Sequence, residues 1–338
     1  MRRAGVAVAL CLLFAAAPAI AAESAVILMY HRFGEDAHPA TNIRIAEFEA
    51  HIRELSSGAY KVLPLIEVLT AIRAGRPLPD RAVAITIDDG YASVYAEAWP
   101  RLQRAKLPFT IFIPTTPIDG RTKGVMSWDQ IREMAAAGVG IGAHTLTHLH
   151  MVEADDARNR EELARANKRI AEELARPAEI FAYPYGEASR HVMNLVKEAG
   201  YRFALGYHSG VANSTMDDFY IPRFAVNETY GDIARLRLVL NALALPVADV
   251  TPADPAVRET NPPNLGFTIG DEVGRIGTMT CYASSEGRVK VEALGERRVE
   301  VRFAKPLPAG RASRVNCTMP GPDGRWRWHG TAFYVPKQ

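Results

Sequence analysis

The chain has 338 residues, 48% of them hydrophobic, enough apolar material for a large core spread over about one and a half to two domains. Its net charge is only +2 and no dense Lys/Arg block stands out, which argues against a nucleic-acid or anionic-membrane partner. Arg2 and Arg3, an apolar run from Ala4 to Ala17, the helix breaker Pro18 and the small-x-small site Ala19-Ile20-Ala21 predict a signal peptide over residues 1–21. The run is too short to span a bilayer, and Leu10 before Cys11 does not suit a lipidation site, so no stable membrane insertion is expected. Removing that segment leaves Cys281 and Cys317, an even pair that predicts a disulfide in an exported protein.

From Ala25 onward, short apolar runs alternate with helical patterns. Ala25–Tyr30, Ala82–Ile87, Pro108–Ile113, Val139–Ala143, Glu179–Tyr183 and Phe203–Gly206 read as strands. Ile45–Leu55 has helical spacing, with Phe48, Ile52 and Leu55 on one face. Ser127–Ala137 reads as a helix capped by Ser127 and stopped by Gly138. Asp155–Ala175 is a long charged helix with Leu163, Ile170 and Leu174 facing the core and Arg158, Glu162, Arg165 and Arg169 on solvated positions. Helices over His191–Glu198 and Asp232–Leu243 follow. This alternation predicts an α/β fold with a parallel sheet or barrel. Residues 248–264 carry Pro252, Pro255, Pro262 and Pro263 and read as a linker. Residues 265–338 read as a small antiparallel, sandwich-like β domain: Val289–Ala293, Val299–Phe303 and Trp326–Tyr334 are separated by turn signals.

Three segments carry chemistry. Thr86-Ile87-Asp88-Asp89-Gly90 delivers two carboxylates at the C-terminal end of an apolar strand, where functional groups of α/β folds collect. Successive strand residues point opposite ways, so one carboxylate can serve a metal and the other a water. His144-Thr145-Leu146-Thr147-His148 also follows an apolar strand, and two histidines four apart share the side of one helical turn. One aspartate and two histidines form a facial ligand set suited to Zn²⁺, Co²⁺, Ni²⁺ or Fe²⁺. Phe181-Ala182-Tyr183-Pro184-Tyr185-Gly186 ends a third strand in a rigid aromatic loop fit to wall a pocket.

In this order and spacing, TIDDG, HTLTH and FAYPYG resemble the polysaccharide deacetylase (NodB-homology) superfamily of carbohydrate esterases, family 4-like, over roughly residues 25–230. The resemblance implies a distorted (β/α) barrel for residues 22–247. It implies Asp89, His144 and His148 as metal ligands, Asp88 as catalytic base, and Tyr185 as the source of a backbone N–H for the oxyanion, with Tyr183 and Pro184 beside it. Two positions depart from the family pattern. Ala182 stands where the family often has an Arg that orients the base, a role Arg223 in Ile221-Pro222-Arg223-Phe224 is expected to supply. No strand after Gly186 carries the family's catalytic histidine. Instead Ile27-Leu28-Met29-Tyr30-His31 has that pattern at the front of the chain, as in the permuted biofilm poly-N-acetylglucosamine deacetylases. His31 is therefore expected as the general acid, with His208 the second candidate.

The expectation is an exported enzyme, periplasmic or secreted, with Zn²⁺ as cofactor and Ni²⁺ or Co²⁺ as alternatives. It would remove N-acetyl groups from an amino-sugar polymer. Its partners would be an acetylated polysaccharide and polysaccharide export machinery. O-acetyl esterase, peptidoglycan or chitin deacetylase, and a non-catalytic carbohydrate-binding scaffold are the alternatives. Trp128 either stacks on a sugar ring or packs at its helix start. Trp326 and Trp328, alternating with Arg325 and Arg327, either form a sugar platform or fill the β-domain core.

Overall fold

Strands that read as unbroken apolar runs belong in a sheet covered on both faces. The computed structural model describes residues 23–273 and 276–337. The signal peptide and Cys11 lie outside the described residues. In the described part, β1 (Ser24–Tyr30) and β2 (Ala82–Asp88) are buried almost throughout and pair in parallel, Val26 opposite Val83 through Tyr30 opposite Ile87. β3 (Thr110–Ile113), β4 (Gly140–Ala143), β5 (Ile180–Ala182) and β6 (Phe203–Leu205) continue the parallel order. The segment after β6 completes the curl. Ile221 bridges Leu205, and β7 (Phe224–Ala225) pairs in parallel with Leu28 and Met29 of β1. The expected distorted (β/α) barrel forms, and its first strand adjoins its last.

Helices cover the outside. α1 (Ile45–Leu55) buries Phe48 and Leu55 as its spacing predicts. α2 (Leu65–Arg73) buries Leu65, Val68, Leu69 and Ile72; the sequence reading had no element there. α3 (Trp128–Ala136) starts at a capping box in which Ser127 and Gln130 satisfy each other's backbone N–H. α4 (Asp156–Leu174) is capped by Asp155 and buries Leu163 and Ile170. Glu162 corrects the reading of that helix: it is fully buried, on one stripe with Asn159 and Ala166, rather than solvated. α5 (Arg190–Glu198) and α6 (Ile233–Leu240) complete the layer.

The proline-rich stretch is not a free tether. β8 (Val247–Thr251) lies at its start and pairs with β9 (Leu265–Ile269), so the C-terminal sheet begins before residue 265. β10 (Thr280–Ala283), β11 (Gly287–Leu294), β12 (Arg298–Arg302), β13 (Ala312–Pro320) and β14 (Trp326–Tyr334) follow. The start of β11 pairs with β10 and the rest with β12, so one strand joins two antiparallel halves. Their apolar side chains close one core that includes Phe267, Val299, Val315 and Met319. Cys281 and Cys317, opposite each other on β10 and β13, form the predicted disulfide with their Cα atoms 4.1 Å apart. This domain docks on the barrel through Trp328 against Phe224, ring centroids 5.0 Å apart, and through Arg325, which pairs with Asp80 at 2.8 Å.

Candidate active site at the C-terminal rim of the barrel

β2 ends at Asp88, and the chain then turns through left-handed backbone at Asp89 (φ 73°) and Gly90 (φ 69°). A Cβ at Gly90 would lie 3.2 Å from Ile113, so the turn suits glycine; Asp89 adopts the same region despite its side chain, the kind of local strain that gathers at functional sites. The turn sends the two carboxylates apart, as strand alternation predicts.

Asp88 faces Arg223. Both are buried, and the guanidinium donates to both carboxylate oxygens at 2.7 and 2.8 Å. Arg223 also donates to the carbonyl of Gly206 at 2.9 Å and to Thr86 Oγ1 at 3.2 Å. Burial by itself raises the Asp88 carboxyl, but the charge and hydrogen bonds of Arg223 outweigh it and hold Asp88 below the usual carboxylate range. A guanidinium thus reaches Asp88 from the residue just before β7, while Ala182 itself carries none.

Asp89 faces His144 and His148, with Oδ1 3.3 and 3.2 Å from their Nε2 atoms. His144 is turned this way because its Nδ1 meets the carbonyl of Ala182 at 2.7 Å, which puts the donor proton on Nδ1 and leaves Nε2 a lone pair toward Asp89. Asp89 Oδ1 is buried without a hydrogen-bond partner, and the three ligand atoms lie within 4.8 Å of one another. An orphaned carboxylate oxygen beside two imidazole nitrogens fits a divalent cation of the Zn²⁺, Ni²⁺ or Co²⁺ type.

The His144–His148 segment is not the helical turn that the spacing suggested. It is a loop with Thr145 (φ 62°) and His148 (φ 63°) in the left-handed region. Buried Glu162 sets its shape: one carboxylate oxygen accepts from the N–H groups of Leu146 and Thr147 at 2.9 and 2.8 Å, and the other from the Thr147 hydroxyl at 2.7 Å. The sequence did hold a signal for Glu162, since the helical phase of α4 places it with Asn159 and Ala166.

His31 follows β1 and is buried against Tyr207, ring centroids 5.7 Å apart. Burial lowers its basicity and outweighs the opposite pull of Asp89 and Asp88. His208 is buried on another side, over Tyr220; burial, then His329 and Arg223, push its pKa down to about 3, and no carboxylate acts on it. Of the aromatic loop, only Tyr185 is accessible, at 44% exposure; its ring lies edge-on to His148 and stacks on His150, which is held by Glu187 at 2.7 Å. Tyr183 and Pro184 are buried, and the Tyr183 hydroxyl donates to the carbonyl of Phe219, so neither side chain walls an open pocket as expected. Trp128 is not brought to this rim's ligands: it is buried, donates to Asp119 at 2.7 Å and lies under Arg169.

A barrel with carboxylates and imidazoles at its strand ends is similar to polysaccharide deacetylases in both sequence and fold. Residues 75–204 match the family model described as polysaccharide deacetylase. It is 26% identical over 227 residues to the poly-β-1,6-N-acetyl-D-glucosamine N-deacetylase of Escherichia coli K12, covering 55% of this chain and 34% of that protein. It is 26% identical over 195 residues to the enzyme of the same name from Staphylococcus aureus, covering 54% and 67%. The chain thus spans about a third of the Escherichia coli relative. The Streptococcus pyogenes deacetylase PplD, solved with acetate, shares the fold with a TM-score of 0.60 at 19% identity, over 64% of this chain and 98% of that one.

Proposed function

We propose that the chain hydrolyses N-acetyl groups of an exported amino-sugar polymer of the poly-N-acetylglucosamine type, with Asp88 as base and His31 as acid. The observation that carries this reading is the bidentate Asp88–Arg223 pair beside the Asp89–His144–His148 cluster. Asp89, His144 and His148 would hold a divalent ion, which would supply Lewis-acid chemistry at the attacking water and the acetamide carbonyl. Arg223 keeps Asp88 ionised and oriented to take the proton of the attacking water. The backbone N–H of Tyr185, whose ring lies edge-on to His148, is the donor assigned to the oxyanion. His31, which burial makes a weaker base and so, once protonated, a stronger acid, is assigned to give its proton to the departing amine. The products are acetate and a glucosamine-type amine.

The relatives' names favour the β-1,6-linked polymer. The residues 1–21 signal favours the periplasm or the medium, beside export machinery. No helix among the described residues is long and apolar enough to cross a membrane. The test is acetate release from poly-β-1,6-N-acetylglucosamine oligomers by wild type and Asp88→Asn. Turnover should fall about 10²–10⁴-fold with bound metal unchanged. Full turnover in the variant would remove Asp88 from the role.

A further inference from the structure

The face that β10, β13 and β14 turn toward the barrel is unlike an ordinary docking surface. Alternation along β13 sends Val315, Cys317 and Met319 into the domain core and Arg314, Asn316 and Thr318 to the opposite face. Cross-strand register adds Tyr282, opposite Asn316, and Trp328, opposite Thr318. Trp326 is 40% exposed and Tyr282 48%. Instead of closing on the barrel, this face leaves a cavity of about 560 Å³. That is within the roughly 300–1,000 Å³ range of small-ligand sites.

The opposite wall is the catalytic rim. Tyr207 and Ser209 follow β6, Ala225 ends β7 beside β1, and all three line the cavity. Tyr207 is the shared partition, since its ring packs on His31 on one side while Arg314 lies over it at 5.3 Å. Five aromatic rings line the space: Tyr207, Tyr230, Tyr282, Trp326 and Trp328. Two arginines also line it, Arg235 and Arg314, and no carboxylate does. Neither arginine pairs with a carboxylate among the described residues. Arg235 is committed to the carbonyls of Ala225 and Tyr230, and it lies over the Tyr230 ring at 4.7 Å.

We propose that this interdomain cavity binds sugar units of the acetylated chain next to the unit in the active site, and that it discriminates against deacetylated units. The proposal rests on the deacetylase reading above. Flat aromatic faces suit the C–H faces of pyranose rings, while Asn316, Thr318 and Ser284 offer hydrogen bonds for hydroxyl and acetamide groups. Removing an acetyl group turns a neutral amide into an ammonium. Two arginines with no acidic neighbour in the lining repel that cation, so the cavity reads the acetylation state of adjoining units. The C-terminal domain is thereby part of the substrate site.

The test uses the full chain. Binding of N-acetylated and fully deacetylated β-1,6-glucosamine hexamers is measured by calorimetry, for wild type, the double variant Trp326→Ala/Tyr282→Ala, and Arg314→Gln. The acetylated hexamer should bind wild type at least about tenfold more tightly than the deacetylated one. The double variant should lose about tenfold in affinity and raise KM for the hexamer by a similar factor. Its bound metal and its melting temperature should stay at wild type, which separates a lost binding face from a disturbed fold. Arg314→Gln should narrow the preference for the acetylated hexamer. Unchanged hexamer affinity in the double variant would overturn the proposal, as would equal binding of both hexamers to wild type. Affinity lost in the double variant of a protein that releases no acetate would sink the deacetylase reading and leave the cavity standing as a glycan site.

Discussion

The barrel rim and the interdomain cavity use polar groups in opposite ways. At the rim three groups are each fixed by a second one: Asp88 by Arg223, His144 by the Ala182 carbonyl, and the His144–His148 loop by Glu162. In the cavity Tyr282 and Trp326 stand exposed and the Arg314 guanidinium lies over the Tyr207 ring. Chemistry needs groups held in one protonation state and one geometry, and the rim gains this by burying paired charges. A chain-binding surface needs accessible faces, and the cavity keeps them by leaving partners out. Loss of a rim partner should therefore disturb both fold and chemistry, while loss of a cavity ring should disturb binding alone.

The sharpest way to break this contrast is Arg223→Met. It strands the Asp88 carboxylate in the core, and unfolding free energy should fall by about 3–5 kcal/mol in urea melts. A variant as stable as wild type would show that the pair does not anchor the rim.

The seam between the two regions gives the next effect. His208 is buried and His329 is half-buried with its Nε2 buried; desolvation, joined at His208 by His329 and Arg223, pushes their pKa values down to about 3 and about 4. Both are neutral in the folded state above those values, whereas the unfolded chain takes up protons below about 6.5. Their contribution is thus fully present above pH 6.5 and is lost progressively as pH falls toward 4, on the order of 2 kcal/mol per imidazole at about pH 5. Stability measured against pH should show this acid limb, and His329→Gln should flatten it.

Glu162→Gln should follow in size. The amide can no longer accept all three donors of the histidine loop, and metal affinity should drop about 10–100-fold in competition with a chelator. The smallest effect belongs to Trp128→Phe. It removes the bond to Asp119 at about 0.5–1.5 kcal/mol and should leave KM unchanged, because the ring is occupied by packing.

Much of the rim was legible because its ligands lie in short motifs at strand ends, where one buried strand fixes the direction of each carboxylate. His31 and Arg223 lie outside residues 75–204, so no local pattern joins them to Asp88. His31 comes near it because β1 pairs with β2, and Arg223 reaches it because β7 pairs with β1 and closes the curl. His31 was readable by its strand pattern, and Arg223 by the gap at Ala182. The loop conformation of His144–His148 was not, since it depends on a carboxylate from α4. Tyr183 and Trp128 looked like pocket walls because aromatics near motifs often are; the fold commits both to buried hydrogen bonds instead. The cavity was hidden for the same reason as the linker's strand: both depend on how the C-terminal sheet packs, which spacing along the chain does not encode.

The most direct measurement is acetate release from poly-β-1,6-N-acetylglucosamine oligomers by the full protein as prepared, after chelation, and after adding back Zn²⁺, Ni²⁺ or Co²⁺. The account predicts release that chelation abolishes and at least one of these ions restores. Release unaffected by complete removal of metal, or none at all with metal shown to be bound, would contradict it.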